Sequence, residues 1–204
     1  MGRWNRFIVP LLGCLLIFAG LFLAVNHTVS WVKGYSAVEK VKADHQPVPG
    51  EDAEGVKRSK GEPLYAEKPA AGEKFGEITI PKLEIAIPIY EGADEDQLAK
   101  GVGHFSGSVL PGENNNSVLS GHRDTVFRRL GEVEKGDLMV VKTTAGSFTY
   151  RIEKTRIVDA DDRTVIVPKP EASLTVTTCY PFGYIGNAPE RFVLIGSLVD
   201  SDIR

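Results

Sequence analysis

Three polar side chains that could carry out acyl transfer stand at the ends of apolar runs. Cys179 closes one run, His122 follows another, and Arg191 opens a third. A thiol is mostly protonated near neutral pH, and a histidine can take its proton or hold the thiolate as an ion pair. An arginine is always charged and can stabilise the negative charge that develops on a carbonyl oxygen. Together they predict a nucleophile, a general base and an oxyanion donor.

The two cysteines of the chain are not expected to form a disulfide with each other. Cys14 lies in an N-terminal apolar stretch, whereas Cys179 lies in the part predicted to be extracellular. A lone thiol in a compartment that permits disulfides cannot serve as a covalent staple, so one interpretation is a reactive thiol. The other interpretation is a small buried hydrophobic side chain.

The N-terminal segment predicts an uncleaved transmembrane anchor over residues 7–25. These nineteen residues carry no charge, and as a helix they would span roughly 28 Å, close to the thickness of a bilayer core. Arg3 and Arg6 precede them, which favours a cytoplasmic N-terminus over residues 1–6 and an extracellular remainder. A cleavable signal peptide would have a shorter apolar core and a better cleavage site.

Residues 26–74 predict an extracellular stalk, and residues 75–204 predict one domain. From about Glu39 onward, the stalk contains prolines interspersed with charged and small residues, and it has too little apolar surface to form a core. The domain carries 14 Lys and Arg against 19 Asp and Glu, a net charge of −5. This balance argues against nucleic acid or an anionic lipid surface as its partner.

Short apolar and β-branched runs predict an all-β domain. The predicted strands are 77–80, 85–90, 117–120, 138–142, 147–152, 157–158, 165–167, 174–178 and 192–198. A short helix is predicted after Asp94, an N-cap residue with Gln97 three positions on, and Gly101 stands where a C-terminal glycine cap belongs. Many short strands with frequent turns indicate a sandwich or a closed barrel.

Two motifs and one arginine resemble the signature of a known family. Gly121-His-Arg-Asp-Thr-Val-Phe127, Thr175-Val-Thr-Thr-Cys179 and Arg191 resemble the corresponding segments of sortases, the membrane-anchored cysteine transpeptidases of Gram-positive bacteria. The continuation Thr-Thr-Cys-Tyr-Pro-Phe and the segment from Gly186 to Arg191 resemble the class D branch. The similarity covers residues 76 to 200. Val176 departs from the usual Thr-Leu-x-Thr-Cys pattern, although valine and leucine are similar in character.

The resemblance implies an eight-stranded closed β-barrel with short helices in its connections. It implies that His122, Cys179 and Arg191 lie on one face of the barrel as the catalytic residues. No cofactor is predicted. The substrates would be surface proteins with a C-terminal Leu-Pro-x-Thr-Gly-like signal, which Cys179 would cleave after Thr through a thioacyl-enzyme. An amine of lipid II or peptidoglycan would then accept the protein at the outer face of the cell membrane.

The loops 159–173 and 180–190 are predicted to form the walls of the substrate groove. Each joins strands that bear or flank the three residues, and the second loop holds more apolar surface than a solvated loop needs. The Leu-Pro part of the signal is expected to contact the first loop. The side chains predicted to bind substrate are Thr178, Tyr180, Phe182, Tyr184, Val165 and Ile166.

Alternative functions remain open at this point. A hydrolytic cysteine peptidase on the same scaffold would use water as acceptor, and a non-catalytic wall-binding module would bury an inert Cys179. The triplet from His122 to Asp124 also occurs in kinase catalytic loops, but no glycine-rich nucleotide loop precedes it. The acidic residues of segments 91–96 and 159–162 fit no EF-hand spacing, so no metal site is predicted.

Overall fold

The chain after residue 73 consists mainly of β-strands. The computed structural model describes residues 5–40, 63–184 and 186–204. Its strands are β1 Glu39–Lys40, β2 Lys74–Ile80, β3 Ile85–Glu91, β4 Val102–His104, β5 Asn116–Ser120, β6 Leu138–Thr143, β7 Gly146–Asp159, β8 Ser173–Tyr180 and β9 Glu190–Ile203. Its helices are α1 Asn5–Ser36, α2 Glu95–Leu98 and two 3-10 turns, Pro81–Leu83 and Leu130–Glu132.

Eight of these strands close into a barrel. The sheet runs in the order β3-β2-β6-β7-β9-β8-β5-β4, and a parallel pairing of β4 with β3 joins its two ends. The short strand β1 pairs with the beginning of β3. Closure leaves no long unpaired edge that could aggregate with another chain. The prediction of an all-β domain with an eight-stranded closed barrel is confirmed.

The alternation of side chains along β8 separates a structural face from a face available for function. Leu174 and Val176 point into the barrel, where both are fully buried in the main core. Thr175 between them, and Thr177 and Cys179 beyond, therefore point outward. Burying one large aliphatic side chain contributes about 1.5–3 kcal/mol, so the inner face stabilises the barrel while the outer face can carry chemistry.

A buried polar pair lies where β3 and β4 close the barrel. His104 Nδ1 lies 2.7 Å from the Glu91 carboxylate, and Nε2 lies 3.0 Å from the carbonyl oxygen of Val109. The Ser108 hydroxyl lies 3.0 Å from the same Nε2. His104 and Glu91 are both buried, so they are a partnered pair within the fold, as buried polar groups normally are.

The strands differ from the sequence prediction in several places, and β1 and β4 were not predicted at all. β7 is one continuous strand, because the polar segment 153–156 pairs with β9 across a bulge. β9 extends to Ile203, five residues beyond its predicted end. The predicted strand 165–167 is wrong, since these residues form a loop in which Val165 is buried against Val158 and Val193. An apolar run can bury itself without pairing in a ladder.

The short helix α2 forms where it was predicted, although its caps differ. Asp94 occupies the N-cap position, but its side chain makes no capping hydrogen bond. Ala99, rather than Gly101, is the C-cap residue. The glycine is required there for another reason, because a Cβ atom on Gly101 would lie 2.5 Å from the carbonyl oxygen of Pro88.

The N-terminal part contributes one long helix and two contacts with the barrel. Helix α1 includes the predicted anchor segment 7–25. Among the described residues, no helix has the combination of length and hydropathy that crossing a membrane requires. In the predicted stalk, β1 pairs with β3, and the buried Tyr65 donates a hydrogen bond of 2.6 Å to Pro111. Residues 41–62 of that stalk lie outside the described residues.

The buried tyrosines should make the barrel sensitive to alkali. Burial raises the pKa of the Tyr150 hydroxyl well above its ordinary value of 10.0, and the same holds for Tyr65. Their contribution to stability is complete below pH 10. Above pH 10 the unfolded chain loses phenolic protons that the folded chain keeps, so the free energy of unfolding should fall by up to about 1.4 kcal/mol per pH unit for each tyrosine.

Urea unfolding between pH 8 and pH 11 measures this effect. Tyr150→Phe should lose about 1 kcal/mol at pH 8, because its hydroxyl accepts a hydrogen bond from the Gly112 N–H. The same variant should show a shallower decline above pH 10 than the unmodified protein. Parallel declines for the two proteins would contradict the assignment.

Candidate active site

Strand pairing brings the three predicted catalytic residues to one end of the barrel. β5 runs parallel to β8, with Ser120 opposite Thr177, so His122 emerges at the level of Cys179. β8 runs antiparallel to β9, and Cys179 is the direct cross-strand partner of Arg191. Directly paired residues project to the same side of a sheet. The thiol therefore lies between the histidine on one flank and the arginine on the other.

A surface pocket of about 280 Å³ contains all three side chains. The residues that line it are His122, Arg123, Asp124, Cys179, Gly186, Asn187, Ala188 and Arg191. Cys179 is a free, partly exposed thiol. A thiol that solvent and ligands can reach is available for reaction, whereas a buried cysteine is usually inert.

The turn that carries His122 is held in place by packing and by one buried hydrogen bond. The N–H of Phe127 donates to the His122 carbonyl at 3.0 Å, and the Phe127 ring is fully buried. A Cβ atom on Gly121 would lie 2.6 Å from that ring, so only glycine fits beside it. The Thr178 hydroxyl donates to the Gly121 carbonyl at 2.7 Å. These contacts attach the backbone next to His122 to β8 at Thr178, one residue before Cys179.

A carboxylate that the sequence analysis did not place in the site lies beside the histidine. Glu95 of α2 brings Oε1 to 3.4 Å from His122 Nε2. From the sequence, Glu95 was considered only among the acidic residues of segment 91–96, which fit no EF-hand spacing. Glu95 is 79% exposed and His122 31% exposed, so the contact is largely solvated. The contact is made by Nε2 and not by Nδ1, the other ring nitrogen of His122.

Both arginines of the pocket donate hydrogen bonds to the backbone of the loop 181–189 between β8 and β9. Arg191 Nη1 donates to the carbonyls of Ala188 and Glu190 at 3.2 and 2.9 Å. Arg123 Nη2 donates to the carbonyls of Tyr184 and Gly186 at 2.7 and 2.8 Å. Arg123 also lies over the Tyr184 ring, 5.9 Å from its centroid. The sequence analysis named Arg123 only as part of a motif.

The loop 160–172 between β7 and β8 covers the outer face of the neighbouring strands. Its backbone is held by two asparagines that precede and begin β5: Asn116 Nδ2 donates to the Val167 carbonyl, and Asn115 Oδ1 accepts from the Lys169 N–H. At its start, hydrogen bonds from Thr164 hold the pKa of the Asp162 carboxyl below its usual range. The loop is thus ordered by specific bonds.

The predicted substrate-binding side chains fall into two groups. Tyr184, which is 48% exposed, and Ile166, 47% exposed, lie on the surface, and Val165 packs on the outer apolar patch with Val193. Thr178 is instead 3% exposed and bonded to Gly121. Tyr180 and Phe182 pack with Phe192 against the main core, and their ring centroids lie 5.7 Å apart. Ile185, another apolar residue of the second loop, lies outside the described residues.

No group of three His, Cys, Asp or Glu side chains in the described part of the chain is arranged to hold a metal ion. His104 is buried in its pair with Glu91 and does not line the Cys179 pocket.

Comparison with known proteins finds sortases at the level of sequence. A family model described as the sortase domain matches residues 78–199. Sortase D of Bacillus subtilis is 53% identical over 133 residues, which cover 65% of this chain and 67% of that protein. Sortase A of Listeria monocytogenes is 25% identical over 205 residues, covering 94% of this chain and 88% of that protein.

Solved structures agree with the sequence comparison. The catalytic domain of B. anthracis SrtD superposes with a TM-score of 0.59 and 43% identity, covering 74% of this chain and all of that one. A Clostridium perfringens sortase D5 transpeptidase superposes with a TM-score of 0.59 and 28% identity, covering 65% of this chain and 83% of that chain. The residues that the family model matches include His122, Cys179 and Arg191.

The hydrogen bond between Thr178 and Gly121 should contribute measurably to stability. Thr178→Val keeps the shape of the side chain but leaves a buried carbonyl without its donor, which costs about 1–3 kcal/mol. Urea unfolding should show a loss in that range. Thr177→Val changes the next residue, whose side chain faces outward, and should cost less than about 0.5 kcal/mol. Equal losses in the two variants would show that the buried bond contributes nothing specific.

Proposed function

The chain belongs to the sortase family, whose members are cysteine transpeptidases, and we propose that it anchors surface proteins to the cell wall. The observation that carries this proposal is the pairing of Cys179 with Arg191 on neighbouring strands, with His122 in the same pocket. The proposed substrate is a protein with a C-terminal Leu-Pro-x-Thr-Gly-like signal. The proposed acceptor is an amine of lipid II or peptidoglycan.

In the first half of the proposed reaction, the Cys179 sulfur attacks the carbonyl carbon of the substrate threonine. His122 takes the thiol proton or holds the thiolate already formed, and the new C–S bond turns the carbonyl oxygen into an oxyanion. A guanidinium N–H of Arg191 donates to that oxygen. His122 then returns its proton to the leaving amine as the C–N bond breaks, which releases the C-terminal tail and leaves a thioester on Cys179.

In the second half, the acceptor amine attacks the thioester carbonyl. His122 removes a proton from the attacking amine, and the same arginine stabilises the second oxyanion. Collapse breaks the C–S bond, forms an amide between threonine and acceptor, and returns the proton to the Cys179 sulfur. One peptide bond is broken and one amide bond is made, so no cofactor or redox partner enters the balance.

The outer face of β8 and β9 supports a proposed route for the peptide. Beyond the paired Cys179 and Arg191, the outer side of β9 continues with Val193, which forms an apolar patch with Val158 and Val165. The loop 160–172 covers this patch. We therefore place the Leu-Pro part of the signal along this loop and the scissile bond over the thiol, in agreement with the walls predicted from the sequence.

We also propose that α1 holds the enzyme at the outer face of the cell membrane, with the N-terminus in the cytoplasm. Two observations support attachment: residues 7–25 carry no charge, and the large apolar side chains between Leu11 and Val25 are each more than half exposed. A helix that is apolar on all sides requires an apolar environment. Attachment there would bring the enzyme to a membrane-bound donor and acceptor.

Cys179→Ala tests the proposed nucleophile directly. The variant should fold and unfold like the parent protein and should lose all measurable cleavage of a Leu-Pro-x-Thr-Gly peptide, because no thioester can form. With the parent protein, hydroxylamine in place of the amine should appear as a hydroxamate on the cleaved threonine. Cleavage at a near-normal rate by the variant would contradict the proposed mechanism. Release of the free acid alone, with hydroxylamine or a glycine amine present, would establish the peptidase instead.

Arg191→Lys separates an oxyanion donor from a structural arginine. Lysine keeps the positive charge but loses the planar fork of donors. We expect kcat/KM to fall roughly a hundredfold, about 3 kcal/mol, with peptide binding and Tm nearly unchanged. The control is Arg128→Lys, an exposed arginine outside the pocket, which should keep the parent kcat/KM. A lower Tm with normal kcat per folded molecule would assign Arg191 a structural role.

A further inference from the structure

Arg123 is the one side chain on the turn 122–129 that reaches the loop 181–189 through hydrogen bonds among the described residues. Its Nη2 donates to the Tyr184 carbonyl at 2.7 Å and to the Gly186 carbonyl at 2.8 Å. Hydrogen bonds from a charged donor to backbone carbonyls are short and directional. One nitrogen thus fixes two points of the loop backbone, two residues apart in sequence.

The aromatic ring of Tyr184 adds a second contact to the same guanidinium. The Arg123 Cζ atom lies 5.9 Å from the ring centroid, within the range of a cation–π interaction. The Tyr184 ring is 48% exposed, so it is not held by the main core. Its neighbour Phe182 packs on Phe192 in that core. Among the described residues, Arg123 is therefore the side chain that anchors Tyr184 and Gly186, whereas Arg191 contacts the loop further on, at Ala188.

The other terminal nitrogen of Arg123 is buried without a partner. Nη1 has no hydrogen-bond acceptor among the described residues. Buried donors are almost always satisfied in folded proteins, by protein groups, by water or by a ligand. Arg123 lines the same pocket as Cys179, where a bound peptide would bring backbone carbonyl oxygens. A peptide carbonyl oxygen would therefore supply the hydrogen-bond acceptor that this N–H lacks.

We propose that Arg123 is a positioning residue for substrate binding. In this proposal, Nη2 fixes the loop 181–189 as one wall of the groove before substrate arrives. Because Nη1 is buried in the unliganded protein, the guanidinium turns on binding so that Nη1 donates to a backbone carbonyl of the peptide, and the loop and the peptide then share one guanidinium. Arg123 also follows His122 directly in the chain, so the same turn positions both the catalytic base and the loop that forms the wall of the groove. The peptide part of the proposal rests on the proposed transpeptidation.

The proposal assigns different tasks to the two arginines of the pocket. Arg191 is paired with Cys179 across the strands and acts on the developing oxyanion. Arg123 lies on the turn after β5 and acts on the loop and on the bound peptide. An interaction made equally in the ground state and the transition state changes KM and leaves kcat largely unchanged. The kinetic consequence of losing Arg123 should therefore differ from that of losing Arg191.

Arg123→Gln and Arg123→Lys test this assignment, with Arg128→Gln as the matched control. Arg128 lies on the same turn, is exposed, and its side chain has no hydrogen bond or ion pair with the described residues. Amide hydrogen exchange is measured on the unliganded proteins over residues 181–189, together with Tm. The kinetic constants are measured on a Leu-Pro-x-Thr-Gly peptide. If Arg123→Gln does not fold, Arg123→Lys takes its place in both measurements.

For Arg123→Gln we expect exchange in the loop at least about tenfold faster and KM raised about tenfold, with kcat within about threefold of the parent value. Arg123→Lys should be intermediate, and Arg128→Gln should match the parent protein. Unchanged exchange in Arg123→Gln would overturn the role in the loop. Faster exchange with unchanged KM would overturn the contact with the peptide. A hundredfold loss of kcat at constant KM would place Arg123 at the reacting atoms instead.

The exchange measurement needs no substrate, so it remains decisive if the proposed function fails. A parent protein that cleaves no sorting-signal peptide would overturn the proposed transpeptidation and the peptide contact of Arg123 together. Exchange over residues 181–189 would still accept or reject the role of Arg123 in the loop.

Discussion

The site depends on the register of three neighbouring strands, β5, β8 and β9. The parallel pairing of β5 with β8 and the antiparallel pairing of β8 with β9 put Cys179 between His122 and Arg191. A shift of β8 by one residue would turn the thiol into the barrel and bring a threonine to the outer face. Such a shift is opposed by the core, because Leu174 and Val176 would then leave positions in which both are fully buried.

Hydrogen bonds donated by threonine side chains reinforce this register at both ends of β8. Near its start, the Thr175 hydroxyl donates to Asn116 Oδ1 of β5 at 2.7 Å, and near its end Thr178 donates to the Gly121 carbonyl at 2.7 Å. Both bonds are buried, so breaking either would leave an unsatisfied polar group. The same Asn116 also holds the loop 160–172 through Val167. The bonds that align the strands therefore also order a wall of the proposed groove.

The barrel divides stability and chemistry between its two faces. Side chains inside form the main core, whereas the outer side of β8 and β9 carries Cys179, Arg191 and a small apolar patch around Val193. Two loops cover this outer side, and each is attached by specific hydrogen bonds and by an apolar side chain, Val165 in the first loop and Phe182 in the second. Loops held in this way can adjust to a ligand without disturbing the core. This division suits an enzyme that must admit an extended peptide.

The sequence alone determined the reactive residue types, the strand-rich domain and its family. These conclusions rest on local features, namely the lone Cys179, the two motifs and the alternating apolar runs. Local features can be recognised in the sequence without knowledge of the fold. The resemblance then supplied the closed barrel. Strand ends were less well predicted, since the polar segment 153–156 of β7 owes its strand to pairing with β9 rather than to burial. An apolar run at 165–167 conversely formed a loop.

Only the tertiary structure decided which neighbours of the catalytic residues face the pocket. Tyr180, Phe182 and Tyr184 look equivalent in sequence, yet the first two pack on the core while Tyr184 contacts Arg123. Glu95 is a helix-start residue by pattern, and closure of the barrel brings it to His122. These contacts join residues far apart in the chain, and their geometry depends on strand register and loop path. A local pattern of residue types carries no information about either.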